Sequence, residues 1–166
     1  MIKAIVCVDK NWGIGRDNDL LFSLPTDMKF FRQTTLQKTV VMGGNTLRSF
    51  PGGNPLKNRK NIVLTRTQVR DDCIIVPTMD GLKEQLKACK NEDVYIIGGA
   101  QMYEMMLPYC EEVLVTKVEA DGRATAFFPD LDKHPDFTQI FEGEKQEENG
   151  LSFRFTTYKN ISPKTV

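Results

Sequence analysis

The chain has 166 residues, with 22 basic side chains, 22 acidic side chains and one histidine, so its formal net charge near neutral pH is zero. This length suits one compact domain, and the balanced charge gives no electrostatic support for nucleic-acid binding. No apolar run approaches the length of a membrane span, and the opening residues MIKAIVCVDK lack the anatomy of a signal peptide. These features predict a cytoplasmic globular protein, with a monomer as the default state.

The cysteines and the histidine give little support to metal or nucleophile chemistry. Cys7, Cys73, Cys89 and Cys110 lie in apolar or mixed segments without C-x-x-C spacing, which is typical of reduced thiols. His134 stands beside a proline in a predicted loop. A zinc site or a nucleophile paired with histidine would depend on that one residue, so the sequence predicts no metal.

Strands and helices alternate along the chain. In chain order the predicted elements are a strand at 2–8, a helix at 25–35, a strand at 38–43, a short helix near 45–49, strands at 61–65 and 73–77, a helix at 81–89 with Asp80 as its N-cap, a strand at 94–98, a helix at 100–107, and strands at 112–119, 137–145 and 151–159. This order predicts an α/β fold in one domain of residues 1–160, with a mostly parallel eight-stranded sheet and about four helices on its two faces. The Asn-Gly pair in QEENG predicts an antiparallel C-terminal hairpin, and residues 161–166 are predicted to be a frayed tail.

The predicted helix at 25–35 carries an acidic residue at the edge of its apolar side. Pro25 suits the first helical position because an N–H there would have no partner within the helix. Asp27 lies one turn before Phe31, and the basic residues of the helix take the opposite side. An aspartate in the first turn also complements the helix dipole. The helix alone therefore leaves open whether Asp27 is a solvated end residue or a functional carboxylate.

Two predicted strands end in a pair of glycines and run into a short helix. Gly43 and Gly44 follow one strand in TVVMGGNT, and Gly98 and Gly99 follow another in VYIIGGAQ. Such turns let the backbone approach a ligand closely and point N–H groups at it. Two of them in a small domain favour a ligand with more than one phosphate, although neither has the G-x-G-x-x-G or P-loop spacing.

Other polar residues stand where a ligand could use them. Thr65 and Arg66 follow a strand and offer a hydroxyl and a guanidinium to an isolated phosphate, such as the 2′-phosphate of NADP. Arg59, in the turn-rich loop SFPGGNPLKNRKN, could bind a carboxylate with Leu56 beside it, and Thr116 could hydrogen-bond a buried carboxylate. Each also has an ordinary interpretation, as a surface arginine or as a threonine favoured in strands.

Together these segments resemble dihydrofolate reductase over nearly the whole chain. The most specific parts are GIGRDNDLLFSLPTDMKFF, TVVMGGNT, PGGNPLKNRKNIVLTR and VYIIGGAQMYEMMLP, in that order. The resemblance implies a dihydrofolate reductase-like fold and an enzyme that uses NADPH to reduce 7,8-dihydrofolate to 5,6,7,8-tetrahydrofolate, which serves one-carbon metabolism. It also implies that the protein binds antifolate inhibitors.

The resemblance implies roles for particular residues. Asp27 would bind the pterin ring and promote protonation of N5 during hydride transfer to C6, and Leu20 and Phe22 of a lid would join it in the catalytic group. The substrate-binding residues implied are Ile5, Val6, Asp27, Met28, Phe31, Phe50, Leu56, Arg59, Ile97 and Thr116. The cofactor-binding residues implied are Cys7, Ile14, Gly15, Gly44, Asn45, Thr46, Leu64, Thr65, Arg66, Ile97, Gly98, Gly99, Ala100, Gln101, Met102 and Tyr103. Since burial raises the pKa of a carboxylate, we expect activity to fall as pH rises through the pKa of Asp27.

The chain departs from the family pattern at three places. Gly44 and Asn45 stand where many members have two basic residues, which leaves more of the phosphate charge to Arg66. Phe22 stands where the lid often has tryptophan, so the indole N–H is lost. The segment RATAFFPD lacks the acidic residue often found just before the threonine, and a bond from that loop to the lid is therefore expected to be missing.

Two other functions are compatible with part of the pattern. One is a reductase of the same fold in the riboflavin pathway, and the other is a nucleotide-binding protein without catalysis. Asp27 after Leu-Pro, with Phe31 one turn later, favours the folate substrate. NADPH absorbance measured with dihydrofolate and with the riboflavin precursor would distinguish the three functions.

Overall fold

The computed structural model of the chain describes residues 1–17 and 19–166. Over these residues the strands are β1 Ile2–Val8, β2 Gly13–Gly15, β3 Thr39–Gly43, β4 Lys60–Leu64, β5 Ile74–Val76, β6 Val94–Gly98, β7 Glu112–Val118, β8 Ala126–Phe127, β9 Phe137–Glu142, β10 Gln146–Glu148 and β11 Leu151–Asn160. The α-helices are α1 Pro25–Thr35, α2 Gly44–Ser49, α3 Met79–Ala88 and α4 Ala100–Met106. Short 3-10 turns cover Pro51–Gly53 and Leu107–Tyr109.

The main sheet is mostly parallel and eight strands wide. Its strand order is β10-β11-β7-β1-β6-β3-β4-β5, and β9 shares the edge position with β10 because it also pairs with β11. The strands from β7 to β5 in this order are parallel, whereas β11 runs antiparallel to β7, β9 and β10. The predicted α/β fold, with its parallel sheet and antiparallel C-terminal hairpin, is confirmed.

Several element ends differ from the prediction. The helix α3 begins at Met79, and the Thr78 side chain is its N-cap because it accepts the Gly81 N–H at 3.0 Å. The prediction of Asp80 as N-cap is therefore wrong; Asp80 lies in the first turn, where its charge complements the helix dipole. Gln146–Glu148, predicted as part of the turn, forms β10 and pairs with β11. The short strands β2 and β8 pair with each other and were not predicted, since two or three residues carry no periodic pattern.

Alternate residues of the central strands face two separate apolar layers. Ala4 and Val6 of β1 point into a layer that includes Leu82 of α3 and Met102 of α4. Ile5 points the other way, into a layer where Phe30 and Phe31 of α1 and Leu47 of α2 pack against Val40 and Val63. Since successive side chains of a strand take opposite faces, α1 and α2 cover one face of the sheet and α3 and α4 the other. The side chain of Asp27 lies on the α1 face.

The C-terminal tail, for which the sequence predicted fraying, contacts the domain. The Lys164 N–H donates to the Pro108 carbonyl at 2.9 Å, and the Ile161 N–H donates to the Asp136 carbonyl at 2.8 Å. Val166 packs against the layer that contains α3 and α4. Residues 161–166 thus follow the surface beside the 3-10 turn Leu107–Tyr109.

Candidate active site

The carboxylate of Asp27 is held between α1 and the sheet. Leu24, which is 2% exposed, packs with Val118 and Phe153 and fixes the entry to α1. Pro25 then begins the helix and Asp27 is its third residue. The Thr116 hydroxyl of β7 donates a hydrogen bond of 2.6 Å to Oδ1 of Asp27, and Thr116 is itself only 3% exposed. The predicted pairing of Thr116 with a carboxylate is therefore present in the structure.

The surroundings of Asp27 favour its protonated form. Burial raises the pKa of this carboxyl above its usual range, hydrogen bonds from Thr116 and Cys7 oppose the rise, and the nearby Glu148 carboxylate adds to it. Cys7 lies opposite Thr116 in the pairing of β1 with β7. Burial, and then the charge of Asp27, raise the pKa of the Cys7 thiol, which keeps that neighbour neutral. A carboxyl group whose proton affinity is raised in this way is better suited to general acid chemistry than an exposed one.

Apolar side chains form a layer on the same face of the sheet as α1, the helix that carries Asp27. Ile5 is buried, and four predicted pocket residues are half-buried against the same apolar layer, namely Phe31, Phe50, Leu56 and Ile97. Other predicted residues are placed differently. Leu20 is 78% exposed and Met28 is 57% exposed, so neither forms a closed wall here. The Val6 side chain lies in the layer on the opposite face of the sheet, which leaves its backbone as the part nearer the site.

Arg59 is fixed by the end of α1. Its Nε–H donates to the Thr35 hydroxyl at 2.8 Å, and its two terminal nitrogens donate to the carbonyls of Lys57 and Arg32. Partial burial, and then repulsion by Arg32, lower its pKa, yet a guanidinium remains protonated at any physiological pH. A positive charge therefore stands at the far end of the apolar lining.

A buried amide holds the loop that presents Arg59 and Leu56. Asn61, 6% exposed, accepts the Leu56 N–H through Oδ1 and donates through Nδ2 to the carbonyls of Leu56 and Arg59. The sequence analysis did not identify Asn61. The sequence signal that could have identified Asn61 is a polar residue near the start of an apolar strand, directly after a turn-rich loop.

The two glycine turns lie side by side at the carboxyl ends of β3 and β6, which are neighbours in the sheet. Gly98 has a φ of 130°, which side chains rarely adopt. A Cβ on Gly98 would stand 3.5 Å from the Thr46 hydroxyl of the other turn. The two turns therefore present backbone, with one hydroxyl between them, to the same region of space.

Further predicted cofactor residues surround these turns. A Cβ on Gly44 would meet the Gln68 amide nitrogen at 2.6 Å and the Thr65 hydroxyl at 3.0 Å, so the room for a side chain at 44 is already filled. Arg66 is exposed, and Arg48 donates to the Asn45 amide oxygen. Ile14, Leu64 and Ala100 are half-buried and Gln101 is exposed. Met102 and Tyr103 are buried, and the Tyr103 hydroxyl donates to the Ile5 carbonyl at 2.7 Å.

The segment between β1 and α1 is tied to the loop that precedes β8. The Asp9 carboxylate, 3% exposed, accepts N–H bonds from Asn11, Gly13 and Gly122 at 2.7–3.0 Å. The Thr125 N–H donates to the Gly15 carbonyl at 2.8 Å, and the Thr125 hydroxyl accepts the Asp17 N–H at 3.3 Å. The expectation that this loop forms no bond to the lid is therefore wrong, because a hydroxyl accepts the bond in place of a carboxylate.

Comparison with known proteins identifies the family. A profile of the dihydrofolate reductase family matches residues 1–160. The dihydrofolate reductase of Bacillus subtilis (strain 168) is 34% identical over 163 residues, covering 96% of this chain and 94% of the relative. The dihydrofolate reductase of Staphylococcus haemolyticus is 34% identical over 165 residues and covers 96% of each chain. A bifunctional dihydrofolate reductase-thymidylate synthase of Glycine max is 31% identical over an alignment of 178 residues that covers 96% of this chain and 33% of the relative.

The chain therefore belongs to the dihydrofolate reductase family, whose members reduce dihydrofolate to tetrahydrofolate with NADPH as cofactor. Among residues 1–17 and 19–166, no group of three or more His, Cys, Asp or Glu side chains is arranged to hold a metal ion. In the same part of the chain, no helix has the length and apolar character needed to cross a membrane.

Proposed function

We propose that this chain, acting as one domain of residues 1–160, reduces 7,8-dihydrofolate to 5,6,7,8-tetrahydrofolate with NADPH, and that Asp27 promotes protonation of the pterin at N5. The observation that carries the proposal is the half-buried carboxylate of Asp27, bonded to Thr116 at 2.6 Å, with a pKa raised chiefly by burial. We expect it to be the acid that contacts a ring lying on Ile5.

The shape and charge of the cleft support a flat ring with an anionic tail. Asp27 at one end can accept paired N–H bonds from an amidine-like ring edge. Phe31, Phe50 and Leu56 offer apolar contacts to an aminobenzoyl group. Arg59, already oriented by Thr35, can form a fork of bonds with the α-carboxylate of a glutamate.

The residues around the glycine turns fit a phosphate-bearing cofactor. Gly98 and Gly99 bring backbone close to the Thr46 hydroxyl, since a Cβ on either glycine would stand 3.5–3.6 Å from that oxygen. Thr65 and Arg66 would bind the 2′-phosphate, and Cys7 and Ile14 would flank the nicotinamide. When bound, NADPH supplies the hydride that reaches C6.

In the reaction, the protein itself holds the pterin ring and promotes its protonation at N5. A protonated N5 makes C6 more electrophilic, and the raised pKa of Asp27 keeps a proton available at higher pH than an exposed carboxyl would. Because Asp27 must carry a proton for the reaction, the rate is highest below the pKa of Asp27 in the complex and falls as pH rises through that pKa. Leu20 and Phe22 would exclude water when the lid closes.

Asp27→Asn tests this role. The amide can still accept the Thr116 hydroxyl but cannot supply a proton, so we expect most activity at pH 7 to be lost, with partial recovery in acid where the substrate is protonated by solvent. The measurement is NADPH oxidation at 340 nm with dihydrofolate from about pH 5 to 9, which spans the range where a raised carboxyl pKa acts.

Asp80→Asn is the matched control, because Asp80 also lies in the first turn of a helix but is exposed on α3. We expect its pH profile to match that of the wild type. Full activity of Asp27→Asn at pH 7 would contradict the assignment. A higher rate with the riboflavin precursor than with dihydrofolate would contradict the assignment of dihydrofolate as the substrate.

We also propose that the protein is a cytoplasmic monomer and that 2,4-diamino antifolates compete for the site at Asp27. All four cysteines are free thiols, which supports a reducing compartment. Sedimentation of the purified protein, with and without an antifolate, tests whether the protein is a monomer.

A further inference from the structure

The last residue of β10 contacts the helix that carries Asp27. Oε1 of Glu148 accepts the Thr26 N–H at 2.9 Å, and Oε2 accepts the Thr26 hydroxyl at 2.6 Å. Both residues are half-buried, and Thr26 immediately precedes Asp27. The β10–β11 hairpin thus binds the first turn of α1 through one carboxylate.

The contact replaces a cap that α1 lacks. Leu24 stands at the N-cap position and makes no capping bond with its side chain. The first N–H groups of a helix need partners from outside it, and a negative charge there also complements the helix dipole. Glu148, which lies 122 residues away along the chain, supplies both an acceptor for one of these N–H groups and the negative charge. The amide of Asn149 adds a second contact by donating to the Ser23 carbonyl at 3.2 Å.

The same carboxylate affects the charge balance at Asp27. The groups that face Asp27 are the Cys7 thiol from β1, the Thr116 hydroxyl from β7, the Tyr103 phenol from α4 and Glu148 from β10. Burial raises the pKa of Cys7 and of Tyr103, so both are neutral at physiological pH. Of these four, Glu148 is the one whose negative charge repels the Asp27 carboxylate, and that repulsion raises the pKa of Asp27.

We propose that Glu148 is a positioning residue for the reduction: it fixes the first turn of α1 through Thr26, the neighbour of Asp27, and its negative charge there favours the protonated form of the Asp27 carboxyl. The proposal rests on the role proposed above for Asp27. It assigns a catalytic influence to the C-terminal hairpin, which has no group in the apolar lining of the site.

Glu148→Gln tests the charge while keeping an oxygen acceptor for the Thr26 N–H. Without the repulsion, the pH at which kcat/KM falls should move to acid by about 0.5 unit, as expected for one partly screened charge. Above that pH the variant should be about threefold slower than the wild type, since half a unit corresponds to that ratio. Glu147→Gln is the matched control, because Glu147 is the exposed neighbour on the same strand and is equally charged.

Two more variants separate charge from contact. Glu148→Asp keeps the charge but is too short to keep both bonds, so its pH profile should return toward that of the wild type. Glu148→Ala is a second neutral variant and should show the same acid shift as Glu148→Gln. Coincident profiles for the wild type and both neutral variants, or an equal shift in Glu147→Gln, would overturn the proposal.

Asp27→Asn distinguishes failure of this inference from failure of the proposed function. If Asp27→Asn keeps wild-type activity at pH 7, the role of Asp27 is wrong and the inference falls with it. If Asp27→Asn loses most activity at pH 7 but the pH profile of Glu148→Gln coincides with that of the wild type, the role of Asp27 stands and Glu148 is structural alone. Carboxyl 13C NMR of the apoenzyme, with the Asp27 signal assigned by its loss in Asp27→Asn, gives the same shift independently of turnover.

Discussion

Individual side chains determine how the cleft recognises charge. Asp27, Thr116 and Arg59 all have polar partners fixed before any ligand arrives. Such prior orientation reduces the entropy that a ligand must lose on binding. Arg66 differs, since it is exposed in a turn after β4. Its contribution depends on the ligand itself.

Arg66→Ala should raise the KM for NADPH much more than the KM for NADH. A guanidinium bonded to a phosphate contributes about 1.5–3 kcal/mol, so the KM for NADPH should rise roughly tenfold or more. NADH has no 2′-phosphate, and its KM should change less than about twofold on the same reasoning. Steady-state kinetics with each cofactor measures both values.

Arg154→Ala is a control for general loss of positive charge, because Arg154 lies on β11 and donates to the Gly143 carbonyl. It should leave both KM values unchanged. Equal increases for NADPH and NADH in Arg66→Ala would exclude a selective role for this residue.

The sequence indicated the polar partner of Asp27 but not the exposure of two apolar residues near it. Thr116 was identifiable because it shares a face with apolar neighbours of its strand, where a hydroxyl needs a partner. Leu20 and Met28 were predicted as walls but are largely exposed. Their exposure depends on how the lid and α1 lie on the sheet, and no local pattern encodes that placement. Glu148 was not identified because its partner is distant along the chain.

Among the elements, the segment between β1 and α1 depends on one buried carboxylate. Asp9 bonds to two N–H groups of its own turn and to Gly122 of the facing loop. Gly13 lies so close to Asp9 and Ala124 that a Cβ there would overlap both. These contacts fix the start of the segment between β1 and α1, whereas Leu20, later in the same segment, is exposed.

Asp9→Ala should therefore destabilise the fold. Leaving buried N–H groups unpaired costs about 2–4 kcal/mol. For a domain of this size the melting temperature should fall by roughly 10 °C. Thermal unfolding followed by circular dichroism measures the change.

The control is Asp136→Ala, at an exposed position outside the lid, which should change stability by less than about 0.5 kcal/mol. If Asp9→Ala melts within a degree or two of wild type, the buried carboxylate is not what holds the lid base.

Element boundaries were predicted well where a local signal is strong. Pro25 marked the start of α1, and the Asn149-Gly150 turn joins β10 to β11 as the hairpin pattern indicates. The start of α3 was misjudged because Thr78 and Asp80 are both good cap residues. Which of them acts as the cap depends on where the chain leaves β5.

At the scale of the whole molecule, two thiols are closed off from solvent by the fold. Cys89 is 2% exposed and Cys110 is fully buried, where its thiol donates to the Met106 carbonyl at 3.3 Å. Burial raises the pKa of Cys110 to about 12. Because the thiolate is the reactive form, Cys110 can react only when the molecule opens.

Iodoacetamide labelling should therefore report global opening. At pH 8 the native Cys110 should react at least about a thousandfold more slowly than in denaturant, given its thiolate fraction and its lack of access. Mass spectrometry of peptides after timed labelling gives the rate for each cysteine.

Cys73 provides the internal comparison because it is only half-buried. It should be modified in the native state. Equal native rates for Cys73 and Cys110 would mean that the core opens far more often than its packing implies.

The place of β1 in the sheet has a consequence for synthesis on the ribosome. β1 is made before both of its neighbours in the sheet, β6 and β7, which begin at Val94 and Glu112. At the usual elongation rate of about 5–20 residues per second, the nascent β1 waits roughly 5–20 s for both partners. During translation its apolar edges are open to chaperones, and a transcript cut short before β7 would yield a product that cannot bury them.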